Sequence, residues 1–392
     1  MTTFSLDPEQ TAWCAELRTL AAERLRPLAE KGEPGHVNRP LVEALGELGL
    51  LDRLFEEIRG QGSGGGPGRA ASGALGLCLM RESLAYACTE AETALALQGL
   101  GAHPVHAYGS AAQRERWLPA VRAGRAIAAF ALSEPGAGSD AAALSLAAEP
   151  DGSAGWRLTG EKRWISNAPE ADLYTVFART SPDAGARGVT AFLVPADRAG
   201  LTGTALDMLS PHPIGALAFD GVRVGRDDVL GETDRGFRVA MTTLNRFRPS
   251  VGAFAVGMAA AALDASLAHT AERDAFGGKL KDLQSVAHQV AEMATRTEAA
   301  RLMVYAAAAA YDAEGAAEPR GPGTARRAAM AKLLATETAQ YVVDTAVQLH
   351  GARALQRGHL LEHLYREVRA PRIYEGASEV QRTIIAKELY DQ

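Results

Sequence analysis

Cysteine is scarce in this chain: Cys14, Cys78 and Cys88 are the only three in 392 residues. Their number and spacing exclude a paired disulfide framework and match no metal-ligand pattern. Each lies in apolar, helix-like text, so buried reduced thiols are expected. Basic charge is not in excess either, with 41 Lys and Arg against 47 Asp and Glu and no long basic run. A nucleic-acid partner needs a clustered basic face, so none is expected. No stretch reads as the roughly 20 consecutive apolar residues of a membrane span, so no membrane association is expected. The opening MTTFSLDPEQ lacks a charged start followed by an apolar run, so no signal peptide is expected. These absences together lead to the expectation of a soluble, cytoplasmic protein.

What is present is an ordinary globular balance, 47% apolar and 22% charged, in a chain long enough for two or three subdomains. Three regimes follow one another, with boundaries at 1–126, 127–232 and 233–392. The first is helical. Asp7, Pro8 and Gln10 make a helix start, and Trp13, Leu17, Leu20 and Leu28 recur at helical spacing. A second helix is predicted over RPLVEALGELGLL (39–51), and GQGSGGGPGRAASG (60–73) reads as a mobile loop. Helix resumes from Ala74 to near Ala123. In the second regime, LYTVFAR, VTAFLVP and GALAFDGVRV are short strands, and GWRLTGEKRWISNA (155–168) reads as a hairpin turning at Thr159-Gly160. In the third, long Ala-rich helices with little polar surface must pack on several sides, as in a bundle, with DAEGAAEPRGPGT (312–324) as a loop between two of them.

Two loops invite chemistry. FALSEPGAGSD (130–140) combines helix- and strand-breaking Pro135, Gly136 and Gly138 with the hydroxyls of Ser133 and Ser139. Alone it is either a plain turn or a nest of N–H groups for an anion. In PRIYEGASEVQRTIIAKELY (371–390), Ser378 and Gln381 stand at capping-box spacing. Glu375 just upstream is then either a residue complementing the helix dipole or a reactive carboxylate.

Five ordered stretches settle the direction of the reading. FALSEPGAGSD, TGEKRWISNA (159–168), AERDAFGGKLKDLQ (271–284), AVQLHG (346–351) and IYEGASEVQR (373–382) together resemble the acyl-CoA dehydrogenase family of flavoproteins, over nearly the whole chain. The resemblance implies a mainly α fold with an inserted β domain. A middle β-barrel or sandwich would lie between an N-terminal helical domain and a C-terminal four-helix bundle. It implies FAD as cofactor and FAD-dependent α,β-dehydrogenation of an acyl-CoA or acyl-carrier-protein thioester. A homo-oligomer, a tetramer above all, and an electron-transfer flavoprotein as electron acceptor are implied as well.

Residue by residue, the resemblance places Phe130, Leu132, Ser133, Ser139, Trp164 and Ser166 beside the flavin, with Ala377 and Glu379 also on the cofactor side. Arg273, a planar donor suited to pyrophosphate, goes with Phe276 and Gln284 to a cofactor shared across a subunit interface. Gln348, Gly351 and Ala352 belong to the other end of that cofactor. Gln98, Ser139, Asn245, Arg248, Tyr374 and Gly376 are implied to meet the thioester substrate, and Glu375 to be the base that removes its α-proton. Four positions depart from the usual family text: Ser166 and Ala377 stand for Thr, Asn245 for an acid, and Ala352 for Gly. Two other readings of such a chain are a flavin monooxygenase, disfavoured by Glu375, and a DNA-binding flavoprotein, disfavoured by the acidic balance.

Overall fold

The computed structural model describes residues 6–55, 73–152, 155–314 and 323–390. Most of the expected loop at 60–73, and positions 315–322 of the one at 312–324, lie outside the described residues. Helices come first: α1 (Pro8–Leu20), α2 (Arg26–Ala29), α3 (Arg39–Glu47), α4 (Leu50–Arg53), α5 (Gly73–Ala87), α6 (Thr89–Tyr108) and α7 (Ala111–Arg122). Strands follow: β1 (Ala128–Ala131), β2 (Ala147–Pro150), β3 (Trp156–Ser166), β4 (Leu173–Arg179), β5 (Val189–Pro195), β6 (Leu201–Ala205), β7 (Ile214–Val224) and β8 (Val229–Leu230). The rest is α8 (Gly236–Glu272), a two-stranded ribbon of β9 (Asp274–Ala275) and β10 (Gly278–Lys279), α9 (Gln284–Ala313), α10 (Thr324–His350), α11 (Leu360–Glu367) and α12 (Ser378–Tyr390). The helix start read at Asp7 forms as a full capping box: Asp7 accepts from the Gln10 N–H while the Gln10 side chain accepts from the Asp7 N–H.

Contacts divide the chain into two units. One, residues 25–56 and 93–244, holds the main sheet, ordered β6-β7-β3-β2-β4-β5-β8, with β1 parallel to β4. Strand β5 is buried along its length and β4 all but its last residue, which is why both read as nearly unbroken apolar runs rather than alternating ones. The expected hairpin at Thr159-Gly160 does not form. Both residues lie inside the single eleven-residue strand β3, because β3 pairs with β2 on one side and β7 on the other, and this ladder holds the segment extended. Gly160 instead marks a bulge at φ 134°.

The other unit, residues 1–24, 57–92 and 245–392, is the helical core. Its interior is built from alanines of α8, α9 and α10 with Phe254, Met293 and Val304. Small residues bring helices close. A Cβ on Gly257 of α8 would stand 2.4 Å from the Glu82 carbonyl of α5. One expectation is corrected here. Helix α8 is long and apolar enough to cross a membrane by length and composition, yet 72% of its most apolar 18-residue window is buried inside the protein. That is the signature of a core helix. Cys78 and Cys88 are buried, Cys14 is half-buried, and all three are free thiols.

Candidate active site

Glu375 and Gly376 sit in left-handed backbone, at φ 50° and 93°, a conformation that only glycine adopts without strain. Their two carbonyls collect donors from three helices. The Gln381 amide of α12 donates to Glu375 O (3.2 Å) and Gly376 O (2.8 Å). Lys332 Nζ of α10 donates to Gly376 O at 2.7 Å, and Arg248 Nε of α8 to Glu375 O at 3.3 Å. The capping box expected at Ser378 is therefore not made. Ser378 Oγ donates instead to Glu337 (2.6 Å), the Gln381 N–H bonds Ala377 O, and the Gln381 side chain turns back to the loop. The tertiary partners on α10 outcompete the local cap.

Glu375 is half-buried as a residue, and its buried Oε2 has no hydrogen-bond partner among the described residues. Burial pushes its pKa above the ordinary carboxylate value, against the pull of Arg81, Arg248 and Lys332. Burial also lowers the Lys332 ammonium, to about 8, with Arg248 adding to the fall and Glu375, Glu337 and Glu379 opposing it. Arg81 is buried with Glu92 in an ion pair and donates to Ser250 Oγ at 2.7 Å. Asn245 accepts from Arg248 Nη1 at 2.8 Å. So Arg248 keeps a neutral neighbour where an acid would have neutralised it, and Glu375 is the counter-charge it feels. Tyr374 lies partly exposed beside Glu375, while Ala377 and Glu379 follow on the same loop and first helical turn. A desolvated carboxylate with an unbonded oxygen among cations is equipped to accept a proton from carbon.

The sheet unit carries the second group. Lys162 of β3 is fully buried and donates to Leu132 O (3.0 Å) and Glu134 Oε1 (2.7 Å). Glu134 also accepts from the N–H groups of Ser145 and Leu146. With the Arg163 N–H on Ser133 O, the loop after β1 has its carbonyls tied down behind it, and the Ser133 hydroxyl and exposed Ser139 are left for a ligand. Trp164 stands at φ 57° and is 47% exposed between buried or half-buried neighbours. Phe130 packs on Phe177 with ring centroids 4.9 Å apart, and Ser166 ends β3 half-buried. Gln98 is a correction. Its amide is fully buried, donating to Ala126 O and accepting from the Ala128 N–H, both at 2.8 Å. It anchors the entry to β1 and has no polar atom left for a substrate.

A third group gathers at one end of the helical unit. The β9–β10 turn presents Phe276 at φ 54° and 90% exposure. Arg273 and Gln284 flank that ribbon, and Gln348, Gly351 and Ala352 close α10; all five are exposed. His269 stacks on His350 at 4.1 Å, with His359 edge-on to the latter. Burial and the charges of Arg353 and Arg273 hold His269 below its usual range. The site residues not foreseen are Lys332, Arg81, Glu92, Glu337, Lys162 and Glu134. Their signal was available: a charged residue inside otherwise apolar text, as in LGLCLMRESLA or AAMAKLLA, must find a partner when buried.

Comparison with known proteins matches three family models in chain order: the acyl-CoA dehydrogenase N-terminal domain over 7–125, the middle domain over 129–222 and the C-terminal domain over 234–390. The probable acyl-CoA dehydrogenase FadE25 of Mycobacterium tuberculosis is 35% identical over 391 residues, 98% of this chain and 96% of that protein. Among solved structures, butyryl-CoA dehydrogenase from Megasphaera elsdenii superposes with a TM-score of 0.88 at 31% identity, covering 99% of this chain and all of the other. A glutaryl-CoA dehydrogenase from Mycobacterium smegmatis in complex with FADH2 gives 0.86 at 26%, covering 99% and 96%.

Proposed function

The chain belongs to the acyl-CoA dehydrogenase family, and from that premise we propose that it oxidises the Cα–Cβ bond of an acyl-CoA with Glu375 as the base. The observation that carries this reading is the desolvated Glu375 carboxyl with its unbonded Oε2. FAD is the cofactor, and when bound it supplies the two-electron acceptor for the hydride that leaves Cβ. The residues present fit such a group: an exposed tryptophan face, a loop whose carbonyls point elsewhere, and free hydroxyls at Ser133 and Ser139. Phe130, Leu132, Ser133, Ser139, Trp164 and Ser166 would hold it. Arg273, Phe276, Gln284, Gln348, Gly351 and Ala352 would serve the cofactor of a neighbouring subunit.

In this scheme Glu375 takes the α-proton, and its main-chain N–H is offered to the thioester oxygen, where negative charge develops. The cations Arg81, Arg248 and Lys332 oppose the upward shift that burial imposes on the carboxyl. Asn245, Arg248, Tyr374 and Gly376 line the thioester. The active form is a homotetramer in the cytoplasm that passes its electrons to an electron-transfer flavoprotein. An acyl-carrier-protein thioester presents the same pantetheine arm, and a parallel assay separates it from CoA.

Anaerobic stopped-flow mixing of the FAD-loaded enzyme with acyl-CoAs of graded length and branching tests the proposal. Bleaching of the oxidised flavin by at least one of them is expected, and Glu375→Gln should slow it about 10²–10⁴-fold while FAD stays bound. A mutant that bleaches within a few-fold of wild type would move the base elsewhere.

A further inference from the structure

Outside Glu375 itself, one buried cation stands out. Lys332 lies in the N-terminal half of α10 and is fully buried. Lysine is rarely placed so deep unless its ammonium has a specific task. Its Nζ makes one bond, 2.7 Å to the carbonyl of Gly376, the residue that follows Glu375 and shares its left-handed backbone. Among the described residues, no carboxylate bonds Lys332 directly. Glu337, one turn further along the helix, is engaged by Ser378 and Arg372 instead.

We infer that Lys332 is a positioning residue for the base, holding the Glu375–Gly376 turn through the Gly376 carbonyl and biasing the Glu375 carboxyl towards its ionised form. The inference rests on the reading of Glu375 as base. Two roles meet in one side chain. Mechanically, a turn that is strained at Glu375 persists only if its surroundings over-determine it. Lys332 and Gln381 bond the same oxygen from two helices. Electrostatically, the groups facing Glu375 are Arg81 from α5, Arg248 from α8 and Lys332 from α10. Arg81 is paired with Glu92, so its charge is partly cancelled. Lys332 itself faces Glu375, Arg248, Glu337 and Glu379. Removing its charge should therefore raise the Glu375 pKa further and move the onset of proton abstraction to higher pH.

The experiment compares Lys332→Met, Lys332→Arg and Glu375→Gln with wild type, all FAD-loaded. Two readouts are taken: the pH dependence of flavin bleaching by a reactive acyl-CoA, and amide hydrogen exchange of the peptide spanning Tyr374–Gln381 without substrate. Lys332→Met should lower the limiting rate about tenfold or more, since small misplacements near a reacting atom are costly. It should also shift the acid limb to higher pH and speed exchange in that peptide, leaving the strands of the main sheet as protected as before. Lys332→Arg should keep the acid limb near that of wild type. Should the Met variant not fold, Lys332→Gln takes its place in the same comparison. An unmoved acid limb together with unchanged exchange overturns the inference. A Glu375→Gln enzyme that still bleaches overturns the base assignment instead, and is read separately.

Discussion

Glu375 keeps a backbone conformation that costs a non-glycine residue on the order of 1–3 kcal/mol, and its neighbour shows why the turn tolerates no bulk. A Cβ on Gly376 would stand 2.5 Å from Gln381 Nε2, the atom that holds both carbonyls. Gly376→Ala should therefore cost about 1–3 kcal/mol in urea melts and slow flavin bleaching, because the displaced amide frees the loop. The raised pKa of Glu375 has a consequence for stability as well. The folded state binds the carboxyl proton more tightly than the unfolded chain does. Its favourable contribution is present at acid pH and is lost as pH rises through the folded pKa. Glu375→Gln should then melt higher than wild type at pH 7–8, with the two curves converging as pH falls towards the unfolded glutamate value of about 4.3. A mutant less stable than wild type at neutral pH would show the ionised carboxylate to be net stabilising.

Strand β3 carries two demands at once. It must pair on both sides, yet turn Trp164 outward, and it does so through the irregularity between Lys162 and Ile165. The buried Lys162–Glu134 pair sits under that irregularity. Burial pulls the Lys162 ammonium down to about 8, whereas Glu134, despite its own burial, is held below the usual carboxylate range by Lys162 and the Ser145 and Leu146 N–H groups. Lys162→Met should leave Glu134 buried without its counter-charge and cost about 3–5 kcal/mol, read by denaturant unfolding, with flavin retention falling in parallel. Linkage gives the pH sense. A lysine depressed to about 8 contributes its full stability only above the unfolded value of about 10.4, and that contribution is lost as pH falls through 8. Wild type should therefore gain stability relative to Lys162→Met between about pH 8 and 10.

The helical unit exposes Phe276 and Tyr390, each at 90%, with Leu355 and Ile373 also open. Such surface is apt for burial between copies of the chain. The tetramer proposed above predicts that light scattering gives a species of about four chains, and that Phe276→Asp yields smaller, FAD-poor species. Arg273→Ala should weaken FAD retention while leaving the monomer's melting nearly unchanged, since Arg273 is exposed. A stable FAD-loaded monomer would contradict the shared-cofactor arrangement.

Much of this could be read along the chain. The alternation of helical and strand periods, the Asp7 capping box and the order of the five motifs are local patterns, because periodicity and turn chemistry act within a few residues. The motif residues Trp164, Arg273 and Glu375 were likewise visible as residue types in fixed spacing. Other features depend on neighbours distant in sequence. Thr159-Gly160 looked like a turn and became strand because β2 and β7 flank it. Ser378 and Gln381 looked like a cap, but α10 brings Glu337 to the Ser378 hydroxyl, and the Gln381 amide turns back to the Glu375 and Gly376 carbonyls. Gln98 looked like a pocket residue until Ala126 and Ala128, at the entry to β1, claimed both ends of its amide. The burial and the surrounding cations that set the environment of the Glu375 carboxyl come from α5, α8 and α10. Charge and burial act through space, so only the packed helices could supply them.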